Sequence, residues 1–230
     1  MMTTMIRPII FLCFFMCFAI FGSAQNEDAG FWLSFQGEKK ISDKIRIGAE
    51  LSVRTENYSS SWDKILIEPS IEYRFSKDFK VFTNYRYSHV AENEDRYWYP
   101  NHRFIGGFRY DFEWRRLELR FQSKYQYGVN KDFSRYDAFE TKNHIRDRFQ
   151  ILYDIKNCKL KPYAFAEVYT VLDAGHVLQY RFDTYRYQFG ASYSLCKDLS
   201  VKAFLMYEYE YKNSGWWNNY IGGIDLSFEF

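Results

Sequence analysis

The chain has 230 residues, of which 22% are aromatic, and its 31 lysines and arginines nearly balance its 29 aspartates and glutamates. This length fits one domain, and the near-neutral charge offers neither a basic surface for nucleic acid nor a charged tail. The 21 tyrosines and 23 phenylalanines are unusual for a soluble core and typical of a sheet ringed by aromatic girdles.

The first segment predicts a secretory signal peptide. Arg7 precedes an apolar run from Ile9 to Phe21, and small residues follow at positions 22–24, where a signal peptidase cleaves. The run is shorter than the roughly 20 apolar residues of a membrane helix, although an uncleaved anchor is the alternative. We expect cleavage of residues 1–24, Sec export through the periplasm, and one domain over residues 25–230.

The rest of the sequence repeats runs of alternating apolar and polar residues, each followed by a turn. Period-two alternation puts successive side chains on opposite faces of a β-strand. The runs are longer than the ~5–6 residues usual in globular sheets and match the ~9–11 residues of a tilted strand that crosses a bilayer. The pattern predicts strands at residues 30–40, 44–56, 64–75, 79–90, 101–112, 115–128, 143–155, 160–172, 180–195, 199–212 and 217–230.

The connections alternate between tight turns such as "FSKDFK" and longer polar loops such as "VAENEDRYWYPN". Outer-membrane barrels have short periplasmic turns and longer external loops. The fold class predicted is all-β, an antiparallel up-and-down transmembrane β-barrel of 10–12 strands. Eleven strands conflict with the even numbers of bacterial barrels, so three explanations stay open: a missed short strand, a passage of residues 25–30 through the lumen, or a segment 30–40 outside the barrel.

The last strand ends on a phenylalanine and alternates strictly before it. Tyr220, Leu226, Phe228 and Phe230 share one face, a pattern that resembles the signal read by the outer-membrane barrel-assembly machinery. An ordinary edge strand is the alternative, but it would be an aggregation hazard in a soluble protein. We therefore expect outer-membrane lipid and the assembly machinery as partners, and a monomer.

Several stretches resemble a family of small uncharacterised outer-membrane β-barrel proteins of Gram-negative bacteria, classed as a domain of unknown function. The resemblance covers most of the chain after residue 24 and rests on "FWLSFQGEKKISDKIRIGAELSVR", "IEYRFSKDFKVFTNYRYSH", "KPYAFAEVY" and "YRYQFGASYSLCKDLSVKAFLMYEYEYK". It implies an outer-membrane location and no established activity. No cofactor follows from it.

The polar faces of the predicted strands should fill the lumen with charges of both signs, which need partners where they are buried. Its arginines are Arg46, Arg54, Arg74, Arg86, Arg103, Arg109, Arg120, Arg146, Arg148 and Arg186. Its acids are Glu50, Glu68, Glu72, Glu118, Glu208, Glu210, Asp111, Asp154 and Asp225. A packed polar core and a narrow pore are both open, because a barrel of this size lies between filled and water-filled barrels.

Histidines give the chain its weak catalytic candidates. His89, His102 and His144, with His176, fall near the predicted external rim beside acids, and a His–acid pair can act as a general base on water or on Ser88 or Ser134. Their spacing fits no zinc site, so no metal is expected. The sequence thus predicts an outer-membrane barrel with a structural, binding or small-solute role. The alternatives are an outer-membrane hydrolase and a secreted lipocalin-like binding barrel.

Two cysteines remain after the leader. Cys158 and Cys196 lie at the tight-turn ends of two strands that form one hairpin. The periplasm is oxidising, so we expect a disulfide if the Cα atoms lie within ~7 Å. Two free thiols are the alternative.

Overall fold

The computed structural model describes residues 26–92, 97–132, 138–172, 182–212 and 215–230. Within these residues, eleven strands form one closed barrel, and each strand pairs antiparallel with the next along the chain. They are β1 (Glu27–Lys40), β2 (Ile45–Glu56), β3 (Ser61–Arg74), β4 (Phe79–Glu92), β5 (Tyr97–Trp114), β6 (Leu117–Asp132), β7 (Ala138–Tyr153), β8 (Leu160–Val171), β9 (Phe182–Ser194), β10 (Leu199–Lys212) and β11 (Gly215–Glu229). The predicted all-β barrel of 10–12 strands is confirmed. In the described part of the chain, no helix is long and apolar enough to span a membrane.

The barrel closes through a parallel pair. β1 lies beside β11 in a continuous register that runs from Glu27 opposite Asn218 to Glu38 opposite Glu229. An odd number of up-and-down strands brings the first and last strands into the same direction, so their pairing must be parallel. Because β1 pairs with both β2 and β11, segment 30–40 is a full member of the barrel. Closure leaves no free sheet edge.

Tight turns join strands at one end, which we call the tight-turn end; the start of β1 lies at the other end, the loop end. In the first tight turn, the Ser42 hydroxyl accepts hydrogen bonds from the amides of Lys44 at 3.3 Å and Ile45 at 3.1 Å. Serine favours turns because its hydroxyl can replace a backbone acceptor. A hydrogen bond from Lys40, 2.6 Å away, lowers the pKa of the exposed Asp43 carboxyl.

The two faces of the barrel wall differ sharply. Leu205 is 63% exposed on the outside, whereas its neighbours Phe204 and Met206 are buried on the inside. On most strands the apolar positions of the alternation face outward, as predicted. Large apolar side chains exposed on the outer face include Phe31, Phe35, Ile47, Leu51, Ile65, Ile67, Ile71, Phe104, Phe108, Phe112, Phe121, Phe149, Ile151, Phe189, Leu205, Ile224 and Phe228.

An apolar cluster fills one side of the interior. Phe204 of β10 lies in register between Gly190 of β9 and Gly223 of β11. A Cβ atom at Gly223 would lie 2.2 Å from the Phe204 Cζ atom, so the ring occupies the space that only glycine leaves. The cluster consists of Tyr163, Phe165, Phe204, Met206 and Ile221, with Trp32 and Leu152 packed against it.

Candidate functional site in the barrel lumen

Every strand contributes a buried inward residue from its middle part, and together these residues close the lumen. We call this set the closed ring. It consists of Ser34, Ser52, Leu66, Ser88, Ile105, Gln126, Arg146, Glu167, Gln188, Met206 and Ile221, none more than 8% exposed. A water-filled passage would leave inward side chains accessible to solvent. The ring is held partly by short hydrogen bonds, such as Ser34 Oγ to Ser52 Oγ at 3.0 Å.

Glu167 is the centre of the largest charge network. Its side chain is 1% exposed and accepts hydrogen bonds from Arg146 Nη2 at 2.7 Å and Arg148 Nε at 3.0 Å. Arg186 approaches the same carboxylate at 3.7 Å. A buried carboxylate needs such partners, and three arginines supply them here.

The network continues along the wall through Arg186. Its guanidinium donates hydrogen bonds to Glu208 and to the Tyr169 hydroxyl. Asn219 Nδ2 donates a further hydrogen bond to Glu208 at 2.9 Å. The Arg146 guanidinium also stacks on the Tyr169 ring, 4.3 Å from its centroid. Cation–π stacking of this kind favours arginine over lysine.

Smaller networks occupy the opposite wall and the tight-turn end. Glu68 accepts hydrogen bonds from Arg86 and from Asn84, the latter at 2.6 Å. Nearer the tight-turn end, Asp111 binds Lys80 at 2.8 Å and Arg120 at 2.7 Å. Further pairs there are Arg109–Glu72, Arg120–Glu118, Arg46–Glu38 and Arg46–Glu229. The prediction of a charge-filled lumen is confirmed.

The structure places most of the predicted lumen charges on the inward face. These are Arg46, Arg54, Arg86, Arg103, Arg109, Arg120, Arg146, Arg148, Arg186, Glu50, Glu68, Glu72, Glu118, Glu208, Glu210, Asp111 and Asp225. Arg74 ends β3 at the tight-turn end, where its amide binds the Lys44 carbonyl. For Asp154 the lumen prediction is wrong: it lies exposed in a tight turn, 3.2 Å from Lys161.

Sequence reasoning missed Glu167. On β8 the inward face is rich in aromatic residues, with Tyr163, Phe165 and Tyr169 buried. An aromatic face is usually the lipid-facing one. The alternation on β8 therefore predicts that the face with Glu167 is outward, whereas in the structure it is inward. The signal available was a single acid, Glu167, within that aromatic face.

A cavity of about 190 Å³ lies inside the barrel and extends from the middle towards the tight-turn end. Its lining includes Glu38, Arg46, Glu50, Glu68, Arg109 and Lys124. The apolar cluster occupies the opposite side of the lumen at β8, β10 and β11.

Two of the candidate histidines face outward. The Tyr85 hydroxyl is 2.7 Å from His102 Nδ1, and the Tyr87 hydroxyl is 2.5 Å from His89 Nε2. Both histidines alternate with inward residues of β4 and β5, so they belong to the outer surface. Each has a tyrosine partner and no carboxylate partner among the described residues. Aromatic and polar side chains of this kind are typical of a headgroup-level girdle.

The third histidine faces the lumen and has the acid partner that the sequence analysis sought. His144 Nε2 lies 2.9 Å from Asp183 Oδ2. Ser88 is buried on β4, with two strands between it and β7, and makes no hydrogen bond to His144 in the described structure. Ser134 and His176 lie outside the described residues. The described part of the lumen therefore has a His–acid pair without a nucleophile bound to it.

The two cysteines lie in neighbouring tight turns but are not joined. The Ser194 amide binds the Lys159 carbonyl at 3.3 Å, which brings the turns together. Nevertheless, both thiols are free and exposed. Cys158 Sγ accepts a hydrogen bond from the Leu160 amide at 3.4 Å, so it is directed back into its own turn.

Three residues of the predicted assembly signal, Tyr220, Leu226 and Phe228, lie on the outward face of β11, and Phe230 follows the strand directly. Phe230 is anchored to β1, because its amide donates to the Glu38 carbonyl at 2.9 Å. Its ring contacts Phe228, with ring centroids 5.5 Å apart. Tyr220 and Leu226 share this face. Among the described residues, no group of three or more His, Cys, Asp or Glu side chains could hold a metal ion.

An apolar outer wall around a lumen that is filled by buried side chains and ion pairs defines a class of protein: a small β-barrel with a filled, charged interior. Residues 29–219 match the family described as "Protein of unknown function (DUF2490)", and the chain belongs to this family. The resemblance to a family of unknown function is thereby confirmed, and the closed barrel agrees with the fold that the resemblance implies. A search of curated proteins finds no match.

Solved β-barrels show a distant likeness to this chain. The β domain of the Bordetella autotransporter BrkA is 11% identical, covers 74% of this chain and 78% of its own length, and has a TM-score of 0.49. LpxR from Salmonella typhimurium is 9% identical, with coverage of 85% and 87% and a TM-score of 0.49. The NanC porin is 11% identical, with coverage of 80% and 90% and a TM-score of 0.46.

Proposed function

We propose that the protein is an outer-membrane β-barrel of a Gram-negative cell. In this proposal residues 1–24 direct Sec export and are removed, and the tight-turn end faces the periplasm. The observation that carries the proposal is how side chains are distributed over the two faces of the barrel wall. Phenylalanine, leucine and isoleucine lie outside, and paired charges lie inside. In lipid, only closed barrels and helices satisfy all backbone hydrogen bonds, and this barrel is closed.

The same wall argues against a secreted lipocalin-like barrel. A water-soluble barrel needs a largely polar exterior, because contiguous apolar patches beyond a few hundred Å² promote association. Here Phe189 is 67% exposed and Leu205 is 63% exposed, with further apolar residues on neighbouring strands. Lipid is the surrounding that this exterior fits, and the assembly machinery and a monomeric state belong to the same proposal.

The closed ring favours a structural or binding role over an open channel. Its members come from all eleven strands and exclude solvent at mid-barrel. Most of the charges around it are paired, and they are of both signs, whereas selective pores carry rings of one sign. A hydrolase role has less support, because His89 and His102 face outward and His144 has no bound nucleophile among the described residues.

Planar-bilayer recording tests the closed lumen. The wild-type barrel should insert without discrete conductance steps, because the ring leaves no water-filled path. A matched control replaces Phe165, Phe204 and Met206 with alanine, which empties the apolar side of the lumen and should produce steps. Steady ion conduction by the wild-type barrel would contradict the proposed role.

A further inference from the structure

Five arginines lie close together in the middle of the lumen, and we call them the arginine cluster: Arg54, Arg86, Arg103, Arg146 and Arg186. Arg54 and Arg186 both lie over the Trp32 ring, 3.8 and 5.6 Å from its centroid. Arg146 and Arg186 both lie over the Tyr169 ring, 4.3 and 4.8 Å from its centroid. Arg103 is close enough to Arg86, Arg146 and Arg186 to be repelled by them. Three carboxylates bind members of the cluster directly, namely Glu68, Glu167 and Glu208. The five arginines of the cluster therefore outnumber by two the three acids bound to them, and one of these acids, Glu167, also binds Arg148.

The excess belongs to two identifiable side chains. Arg86, Arg146 and Arg186 have carboxylate partners, whereas Arg54 and Arg103 have no carboxylate within 4 Å among the described residues. Arg54 stacks on Trp32, 3.8 Å from the ring centroid, and its buried Nε has no hydrogen-bond acceptor. Glu50 and Asp63 attract Arg54 only from a longer distance, and Glu50 is already bonded by Gln36 Nε2 at 3.1 Å.

Two buried donors in the closed ring also lack acceptors. Arg146 is 5% exposed and its Nε is unpartnered, although its Nη2 binds Glu167. Gln126 is buried beside it, and its Nε2 is unpartnered. Buried donors without acceptors are costly. Among the described residues, Arg54, Arg146 and Gln126 each have a buried donor that needs an acceptor, and the two guanidinium groups favour an acceptor with negative charge.

The two unpaired arginines sit on the loop side of the closed ring. On β2, Arg54 is two residues nearer the loop end than the ring member Ser52. On β5, Arg103 is two residues nearer the loop end than the ring member Ile105. Both arginines are partly exposed, so solvent reaches them while the ring closes the lumen beyond them.

We infer that the lumen binds the phosphate group of a soluble solute between Arg54 and Arg103, on the loop side of the closed ring. A doubly charged oxyanion neutralises the two excess charges and accepts from the unpartnered donors. Arginine suits this role because its planar fork donates two parallel hydrogen bonds to phosphate. This inference rests on the binding role proposed above and adds the chemical class of the ligand.

Binding of inorganic phosphate to the purified full-length barrel in an uncharged detergent at pH 8 tests the inference. In a calorimetric titration, phosphate should bind to the wild type. Its affinity for Arg103→Gln and for Arg54→Gln should be lower by a factor of about ten or more. Lys77→Gln, in an exposed turn paired with Glu113 at 2.9 Å, removes the same charge outside the lumen and should bind as the wild type does. Without phosphate, Arg103→Gln should unfold at no lower temperature than the wild type, because it removes an uncompensated charge.

Wild-type affinity in both arginine variants, or equal heats from phosphate and from chloride at equal ionic strength, would overturn the inference. Binding of sulfate but not phosphate would also overturn the assignment of a phosphate group. Differences between variants are decisive here, since phosphate and sulfate stabilise many proteins non-specifically. The change in gel mobility on boiling reports barrel formation for each variant, so a lost site is distinguishable from a barrel that does not form. The conductance recording tests the closed lumen independently of the anion.

Discussion

Glu167 shows how single residues hold the lumen together. It is buried on β8 and compensates Arg146, Arg148 and Arg186 at distances from 2.7 to 3.7 Å. In a medium of low dielectric constant, an ion pair that loses one partner leaves a charge whose desolvation is no longer offset. The other acids of the lumen bind fewer arginines or lie nearer to solvent.

Replacing Glu167 with glutamine should therefore destabilise the barrel strongly. The amide keeps the shape but leaves the three arginines without their shared charge. Removing one partner of a buried pair costs about 3–5 kcal/mol. Guanidinium titration of the refolded barrel, followed by tryptophan fluorescence, measures the change in free energy of unfolding.

Glu38→Gln is the matched control for this prediction. Glu38 pairs with Arg46 at 2.8 Å, but its side chain is 46% exposed and Arg46 retains Glu229 at 3.1 Å. An exposed pair contributes about 0–1 kcal/mol. If both variants lost the same small free energy, Glu167 would not be the buried centre of the network.

Individual side chains also mark where sequence reasoning stops. The inward arginines of β2, β4, β6 and β7 could be predicted, because each follows or precedes an apolar or aromatic residue within an alternating run. The partners of those arginines could not, since they lie on other strands. Likewise, proximity to the rim did not reveal that His89 and His102 face outward to tyrosines whereas His144 faces inward to Asp183.

At the scale of elements, the strands were the most predictable feature. Period two fixes both the existence of a strand and its faces, so the predicted and observed bounds agree within a few residues at most ends. The strand pairing that closes the barrel was not predictable, because it depends on how the first and last strands meet. The parallel pairing of β1 with β11 allows an odd number of strands, eleven, to close into a barrel.

A disulfide across the closing pair tests that register. Leu33 lies opposite Ile224, and both are on the outward face. With Cys158 and Cys196 changed to serine, Leu33→Cys with Ile224→Cys should cross-link on oxidation, because paired strands place Cα atoms within disulfide range. Non-reducing gel mobility reports the bond.

The control pair for this experiment is Leu33→Cys with Phe228→Cys. Phe228 lies opposite Gly37, four residues further along β1, or about 13 Å away at the usual rise per residue. It should stay unlinked. Cross-linking of the control pair alone, or of neither pair, would mean that β1 does not close the barrel in this register.

The described part of the molecule reverses the usual arrangement of a globular protein, with apolar residues outside and charged residues inside. Its outer wall is apolar and rich in aromatics, and its interior contains buried carboxylates and guanidinium groups in mutual contact. The composition of the chain anticipated this arrangement, since abundant tyrosine and phenylalanine combined with balanced charge suit a barrel in lipid. Composition did not reveal the closed ring, which depends on the sizes of side chains that meet from eleven strands.

Gel mobility with and without boiling, of protein recovered from separated membrane fractions, tests the central claim that the apolar wall contacts lipid. The protein should appear in the outer-membrane fraction, need detergent for extraction, and migrate differently before and after boiling because the closed barrel resists unfolding in detergent. Recovery of the processed chain in the soluble periplasmic fraction without detergent, with one mobility under both conditions, would contradict the account.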